Sequence, residues 1–188
     1  LDQRYTFRDL DRKANQYAHF FRNRGIGQGD VVALFMDNRP DFVFVMLGLS
    51  RLRAIGSLIN TNVTGAGLTH AVNVCKPKGV IVGNEHLKAL SDVAGSLDNL
   101  AGKLWLHVED SRDPIPEGFE RINEALARES DLRPSGLYEP NTTDVMCYIY
   151  TSGTTGLPKA AIITNKRWIA AAYLFGSAMM DATPRDII

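Results

Sequence analysis

The sequence predicts an α/β fold, with an open, mostly parallel sheet and helices packed against it in three layers. Two short apolar runs, residues 31–36 and 79–83, have strand length and no polar alternation, the pattern of strands covered on both faces. Between such runs lie segments of helical periodicity, opened by capping residues or proline and closed by glycine or proline. The two kinds of segment alternate at the spacing of βαβ units.

Each element has its own signature. Thr6 precedes Phe7, with Asp9 three residues on, which marks a helix start with an N-cap and an acid in the first turn. Leu10, Ala14, Tyr17, Ala18 and Phe21 then share one face, and Gly25 and Gly27 close the segment. The strand at 31–36 follows. Asn38-Arg39-Pro40 opens a second helix, because proline suits a first turn where no N–H is needed. Its packing stripe is Phe42, Val45, Met46, Leu49 and Leu52. Residues 54–60 make a strand, and Thr64 caps a helix carrying Leu68, Val72 and Cys75 that Pro77 ends before the strand at 79–83. A short helix is predicted over 85–92 and a strand over 103–108. The polar stretch 110–116, with Asp110 and Asp113 as loop caps, leads to a helix over 117–129 with Phe119, Ile122 and Leu126 at helical spacing and Gly118 near its start. After a loop at 130–143 come a strand at 145–150, a loop at 151–159, a strand at 160–164 and a last helix over 166–180. Residues 181–186 read as a turn, and Ile187-Ile188 as the opening of another strand, so a sheet edge or apolar face is expected to be covered by further sequence.

Composition narrows the classes. The chain has 188 residues, enough for one domain or for part of a larger one. Lys plus Arg and Asp plus Glu each number 21, so no strongly basic nucleic-acid surface is indicated. The longest apolar run, 42–50, is flanked by Arg39, Asp41, Arg51 and Arg53 and is too short to cross a bilayer. Peripheral attachment at the inner face of a membrane, through a surface helix or a further segment, stays open. Cys75 and Cys147 lie in apolar surroundings without a CxxC, which argues for free thiols in a reducing, cytoplasmic setting. His19, His70, His86 and His107 show no metal-ligand spacing, and no metal ligand is assigned. Trp105 and Trp168 read as core or interface aromatics, and Arg51 and Arg53 as a solvated helix end. The polar opening Leu1-Asp2-Gln3-Arg4, without an initiator methionine, is expected to lie inside a larger fold.

The chemistry concentrates in residues 151–159, Thr-Ser-Gly-Thr-Thr-Gly-Leu-Pro-Lys, directly after an apolar strand. Gly153 and Gly156 let backbone N–H groups converge on an anion, while Thr151, Ser152, Thr154 and Thr155 add hydroxyl donors. Lys159 adds a mobile positive charge. An ordinary turn is the plain alternative, since Thr, Ser, Gly and Pro are all turn residues. Three threonines, a serine and a terminal lysine around two glycines exceed what a turn requires, and phosphate contact is the preferred reading. A Walker A loop is disfavoured: Leu157 follows Gly156, Ala160 follows Lys159, and Pro158 removes a donor. Gly65-Ala66-Gly67 starts like a dinucleotide loop but has His70 where the third glycine belongs.

The run Tyr148-Ile149-Tyr150-Thr151-Ser152-Gly153-Thr154-Thr155-Gly156-Leu157-Pro158-Lys159-Ala160-Ala161-Ile162 resembles the phosphate-loop signature of the adenylate-forming superfamily, which includes acyl-CoA synthetases, luciferases and peptide-synthetase adenylation domains. The alanines after the lysine resemble the fatty acid transport protein or very-long-chain acyl-CoA synthetase branch. So do Asp37-Asn38-Arg39-Pro40-Asp41-Phe42-Val43 with Leu47-Gly48-Leu49, and Ile59-Asn60-Thr61-Asn62 followed by Gly65. The likeness runs through almost the whole chain. It implies that residues 1–188 are part of the large N-terminal AMP-binding domain, with the rest of that domain and a C-terminal domain in further sequence.

The same resemblance implies a chemistry: ATP-dependent activation of a long- or very-long-chain fatty acid to acyl-AMP and then acyl-CoA, linked to fatty acid uptake. ATP and coenzyme A are the implied co-substrates and magnesium (Mg2+) the implied ion. Thr151, Ser152, Thr154 and Thr155 are the implied donors to the β- and γ-phosphates, Gly153 and Gly156 the permissive backbone, and Thr154 with Lys159 the catalytic pair. Asn165-Lys166-Arg167 departs from the His-Arg that many members carry there. Adenylation of another carboxylate, such as an amino or aromatic acid, stays open, as does a nucleotide-binding or interaction module without ligase activity. By itself the piece is expected to make no acyl-CoA.

Overall fold

The computed structural model describes residues 4–98, 100, 103–107, 114, 116–137, 139–151 and 159–183. Helix α1 (Phe7–Asn23) opens with a capping box: Thr6 Oγ1 accepts the Asp9 N–H at 3.2 Å, and Asp9 Oδ2 accepts the Thr6 N–H at 2.9 Å. There follow β1 (Val31–Phe35), α2 (Pro40–Arg51), β2 (Ile55–Leu58), α3 (Gly65–Asn73), β3 (Gly79–Gly83) and α4 (Leu87–Ser91). The order continues with β4 (Leu104–His107), β5 (Phe119–Arg121), α5 (Ile122–Leu126), β6 (Val145–Thr151), β7 (Lys159–Thr164) and α6 (Asn165–Ala171).

These strands form one seven-stranded sheet in the order β5-β4-β3-β1-β2-β6-β7. Every neighbouring pair is parallel except β6 with β7. From β1 the chain passes through α2 to β2 on one side, then through α3 to β3 on the other. The direction of winding therefore reverses between β1 and β3.

Side-chain alternation sorts the core into two faces. Val32 and Leu34 pack with Ile81, Trp105 and Cys147 against residues of α1, α2 and α5. Ala33, Phe35, Val80 and Val82 pack against Leu68, Ala71, Val72 and Leu90 of α3 and α4. Helices cover both faces, which is why the central strands read as unbroken apolar runs. The three-layer, mostly parallel architecture expected from the sequence is the one observed.

Two close approaches lock the first face. A methyl carbon at Gly48 of α2 would lie 2.6 Å from Tyr17 Cβ and 3.1 Å from the Ala14 carbonyl oxygen of α1. At Gly79 it would overlap the Trp105 ring, which is 2% exposed and meets Phe20 edge-on at 5.3 Å between centroids. Trp105 is thus the core aromatic expected of it.

Differences from the expected elements have local causes. The helix predicted over 117–129 begins as strand β5, because Gly118 turns the chain at φ +86° and Phe119 pairs with Leu104. Phe119 then packs on the α3–α4 face while Ile122 and Leu126 pack on the α1 face, so their helical spacing holds only from Ile122 onward. The helix predicted over 85–92 starts as a 3-10 turn, Asn84–His86, before α4. The last helix changes from α to π winding over Ala172–Met179. Its apolar residues are exposed, Trp168 at 49% and Tyr173 at 71%, beside Ile162 of β7 at 53%. Among the described residues no helix is long and apolar enough to cross a membrane. Asp110, Asp113, Ile187 and Ile188 lie outside the described residues.

Candidate functional site

Strand β6 brings Thr151 to the carboxyl edge of the sheet. It runs parallel to β2, with Gly56 opposite Cys147 and Leu58 opposite Ile149, so Thr151 emerges beside the C-terminal ends of β1, β2 and β3. Open α/β sheets bind ligands at that edge. Strand β7 then returns antiparallel, pairing Tyr150 with Ala160 and Thr151 with Lys159. Directly opposed residues of an antiparallel pair sit on one face with Cα atoms about 5 Å apart. Two residues expected in a loop are therefore the last paired rung of a hairpin, and both are exposed. Thr151 Oγ1 donates to the Lys159 carbonyl at 3.5 Å. The other candidates, Ser152, Gly153, Thr154, Thr155 and Gly156, lie outside the described residues.

The hairpin is fastened at both ends. At its root, Asp144 accepts from Arg53 Nε at 2.7 Å and Nη2 at 2.8 Å, and from the Asn141 N–H at 2.7 Å. The Arg53 hydrogen bonds, then that backbone donor, hold the Asp144 carboxyl below its ordinary range. The Asn165 N–H reaches the Asp144 carbonyl at 3.0 Å, and Asn165 Nδ2 reaches the Asn141 carbonyl at 2.8 Å, tying the start of α6 to the same turn. At the loop end, Tyr150 Oη donates to the Ala71 carbonyl of α3 at 2.5 Å. Burial pushes the Tyr150 phenol well above its ordinary range, so it stays neutral.

Several of these residues went unseen in the sequence. Arg51 and Arg53 lie at the end of α2 but are not the solvated pair expected: about four-fifths covered, they pair with Asp11 at 2.7 Å and with Asp144, and the φ of +56° at Arg53 belongs to the helix closure in which the Ala54 N–H reaches the Leu49 carbonyl at 3.0 Å. A partner 91 residues away leaves no local signal. Tyr150 had one: it is the polar-tipped aromatic at a strand end next to the loop. Both cysteines are free as expected; Cys147 is buried, which lifts its thiol to about 11, whereas Cys75 is half-buried.

A second polar cluster occupies the carboxyl ends of β1 and β3, where the winding reverses. Potential ligand atoms of Asp37, Glu85 and His86 lie within 4.8 Å of one another. His86 Nε2 contacts Asp37 Oδ1 at 2.8 Å, and Glu85 Oε1 accepts the Asp37 N–H at 2.8 Å and meets Arg39 Nη2 at 2.6 Å. His86 also stacks on Phe35 at 4.8 Å. With Arg39 already supplying positive charge to Glu85, the cluster orders the connection from β1 to α2. The structural role expected of His86 fits this arrangement.

The hairpin suits an anion. A polyphosphate is held by cations and O–H or N–H donors, and Thr151 and Lys159 are directly opposed, exposed residues at the end of the pair. Magnesium is held by anionic and carbonyl oxygens. The Thr151–Lys159 rung brings no carboxylate, so none of its side chains is assigned to the ion.

Comparison with known proteins gives a consistent picture. The family model described as AMP-binding enzyme matches residues 1–188. Long-chain fatty acid transport protein 6 of Mus musculus is 39% identical over 189 residues, covering 98% of this chain and 29% of that protein. The medium/long-chain-fatty-acid–CoA ligase FadD6 of Mycobacterium tuberculosis is 34% identical over 175 residues, covering 93% of this chain and 27% of its own length. The crystal structure of the anthranilate CoA ligase AuaEII in complex with anthranoyl-AMP matches with a TM-score of 0.83 at 25% identity, over 94% of this chain and 33% of that one. The chain spans less than a third of the length of the curated relatives it matches. A match along its whole length, on a shared mostly parallel α/β fold, shows that the chain belongs to the adenylate-forming superfamily of AMP-binding enzymes.

Proposed function

We propose that the polypeptide carrying this chain uses ATP to activate a long- or very-long-chain fatty acid, first as acyl-AMP and then as acyl-CoA. The observation that carries this reading is the Thr151–Lys159 rung at the carboxyl edge, which brackets Ser-Gly-Thr-Thr-Gly-Leu-Pro. Likeness to a long-chain fatty acid transport protein supports the acyl chain, and likeness to a fatty-acid–CoA ligase supports coenzyme A as acceptor.

In the first step a carboxylate oxygen attacks the α-phosphorus, the bond to the β-phosphate oxygen breaks, and pyrophosphate leaves with that electron pair. In this reading Lys159 supplies the ammonium that neutralises the leaving group, and Thr151, Ser152, Thr154 and Thr155 supply hydroxyl donors to the β- and γ-phosphates. Gly153 and Gly156 allow the backbone to approach, and Thr154 with Lys159 carries most of the catalytic weight. Magnesium bound with the nucleotide adds charge neutralisation. In the second step the coenzyme A sulfur attacks the acyl carbon, AMP leaves with the electron pair of the broken bond, and the thiol proton passes to solvent. Residues 1–188 form part of the AMP-binding domain. The enzyme works in the cytoplasm, peripherally at the inner membrane face, where trapping imported acid as its CoA ester couples activation to uptake.

The test is carboxylate-dependent ATP–pyrophosphate exchange by the full-length protein, with palmitate and with anthranilate, for wild type and Lys159→Ala. Palmitate is the expected substrate, and loss of one preorganised cation is expected to lower kcat/KM for ATP by about 100-fold, or ~2.7 kcal/mol. Unchanged kinetics in Lys159→Ala would defeat the assigned role, and preference for anthranilate would defeat the substrate class. The 188-residue chain alone is expected to form no acyl-CoA.

A further inference from the structure

The tip of β6 is tied to α3 by one side chain, and that side chain immediately precedes the candidate loop. Tyr150 Oη has a single hydrogen, which it gives to the Ala71 carbonyl at 2.5 Å. Toward its other two neighbours, Ser57 Oγ at 2.9 Å and Cys75 Sγ at 3.0 Å, the phenol oxygen is left only to accept, so both of them donate. Ala71 lies in the last turn of α3, among the carbonyls a helix leaves without an intrahelical donor. The phenol therefore closes the C-terminus of α3 from the end of β6. Ser57 of β2, 1% exposed, holds the oxygen from the sheet side, and the ring packs on the core between sheet and α3.

Beyond this point support is thin. Thr151 and Lys159 are exposed, and among the described residues β7 pairs on one side only. Whatever fixes the direction in which the chain leaves β6 also fixes where the Thr151 hydroxyl and the Lys159 ammonium stand. We propose that Tyr150 is a positioning residue for the Thr151–Lys159 rung, acting through the three-way contact of its hydroxyl with Ala71, Ser57 and Cys75. Its consequence for catalysis rests on the nucleotide reading above, whereas its mechanical part rests on the contacts alone.

Tyr150→Phe keeps the ring and its packing and removes only the hydroxyl. Ser57→Ala removes one donor, and Tyr148→Phe, two residues earlier on the strand, is the control. Hydrogen exchange on the full-length protein reads the mechanical part. Amides of the Thr151–Lys159 and Tyr150–Ala160 rungs are expected to exchange about tenfold faster in Tyr150→Phe, a smaller amount faster in Ser57→Ala and at the wild-type rate in Tyr148→Phe. In the full-length protein, Tyr150→Phe is expected to raise KM for ATP about tenfold and to leave KM for the fatty acid within about twofold. Wild-type exchange at these rungs in folded Tyr150→Phe and Ser57→Ala would overturn the proposal. So would equal increases in KM for ATP and for the acid, which would mark general loosening. If the wild-type protein catalyses no ATP–pyrophosphate exchange, the nucleotide reading fails, and hydrogen exchange alone decides whether Tyr150 sets the hairpin.

Discussion

Replacing Gly48 with alanine probes the tightest contact in the helical layer behind the sheet. The added carbon would stand 2.6 Å from Tyr17 Cβ and 3.1 Å from both the Ala14 carbonyl oxygen and the Ala18 nitrogen. Non-bonded carbons settle at about 3.5–4.0 Å, so the helices must separate by roughly 1 Å. None of the three obstructing atoms belongs to the free end of a side chain, and rotation relieves nothing. Overpacking of this kind costs about 1–3 kcal/mol, and backbone obstruction puts this case at the upper end. Alanine returns about 1 kcal/mol of helix propensity, leaving a net loss of about 2 kcal/mol. Urea unfolding followed by far-UV circular dichroism measures it: at an unchanged slope the midpoint should fall by about 1 M. Gly67→Ala on α3 is the internal control, since nothing lies within 4 Å of its added carbon. That variant should be neutral or slightly stabilised. A Gly48→Ala midpoint equal to or above wild type would refute backbone contact between α1 and α2.

Trp105→Ala should cost about 3–5 kcal/mol in the same assay, because the indole is buried against Phe20 and Phe21. A loss below about 1 kcal/mol would contradict its place in the core. Asp144 gives a pH signature. Its carboxyl is depressed by Arg53 and by the Asn141 N–H, so its stabilisation is present above the unfolded value, near 3.8, and is lost as pH falls through the lower folded value. The gap in urea midpoint between wild type and Asp144→Asn should therefore be open at pH 6 and close below about pH 4. A gap that stays constant down to pH 2.5 would show that the Arg53 contact is not what lowers this carboxyl.

How much the sequence revealed depended on the range of each interaction. The N-cap Thr6 and the first-turn acid Asp9 stand three residues apart and were legible, although the return bond from the Thr6 N–H to the Asp9 carboxylate was not read. Strands β1 and β3 were legible because burial on both faces leaves an unbroken apolar run. Strand β5 was not, since Phe119 and Ile122 serve opposite faces of the sheet while keeping a spacing that also suits a helix. Composition made phosphate contact the preferred reading of residues 151–159, but nothing local disclosed that Thr151 and Lys159 pair as a rung, because strand pairing is decided by the sheet. The contacts of Tyr150 with Ala71 and of Arg53 with Asp144 join residues 79 and 91 positions apart, which no local pattern reports.

The most direct measurement is a crystal structure of the full-length protein with a non-hydrolysable ATP analogue. The polyphosphate is expected at the carboxyl end of β6, within hydrogen-bonding distance of the Thr154 hydroxyl and the Lys159 ammonium. A nucleotide seated elsewhere, such as over Asp37 and His86 between β1 and β3, with Lys159 out of reach, would contradict that expectation.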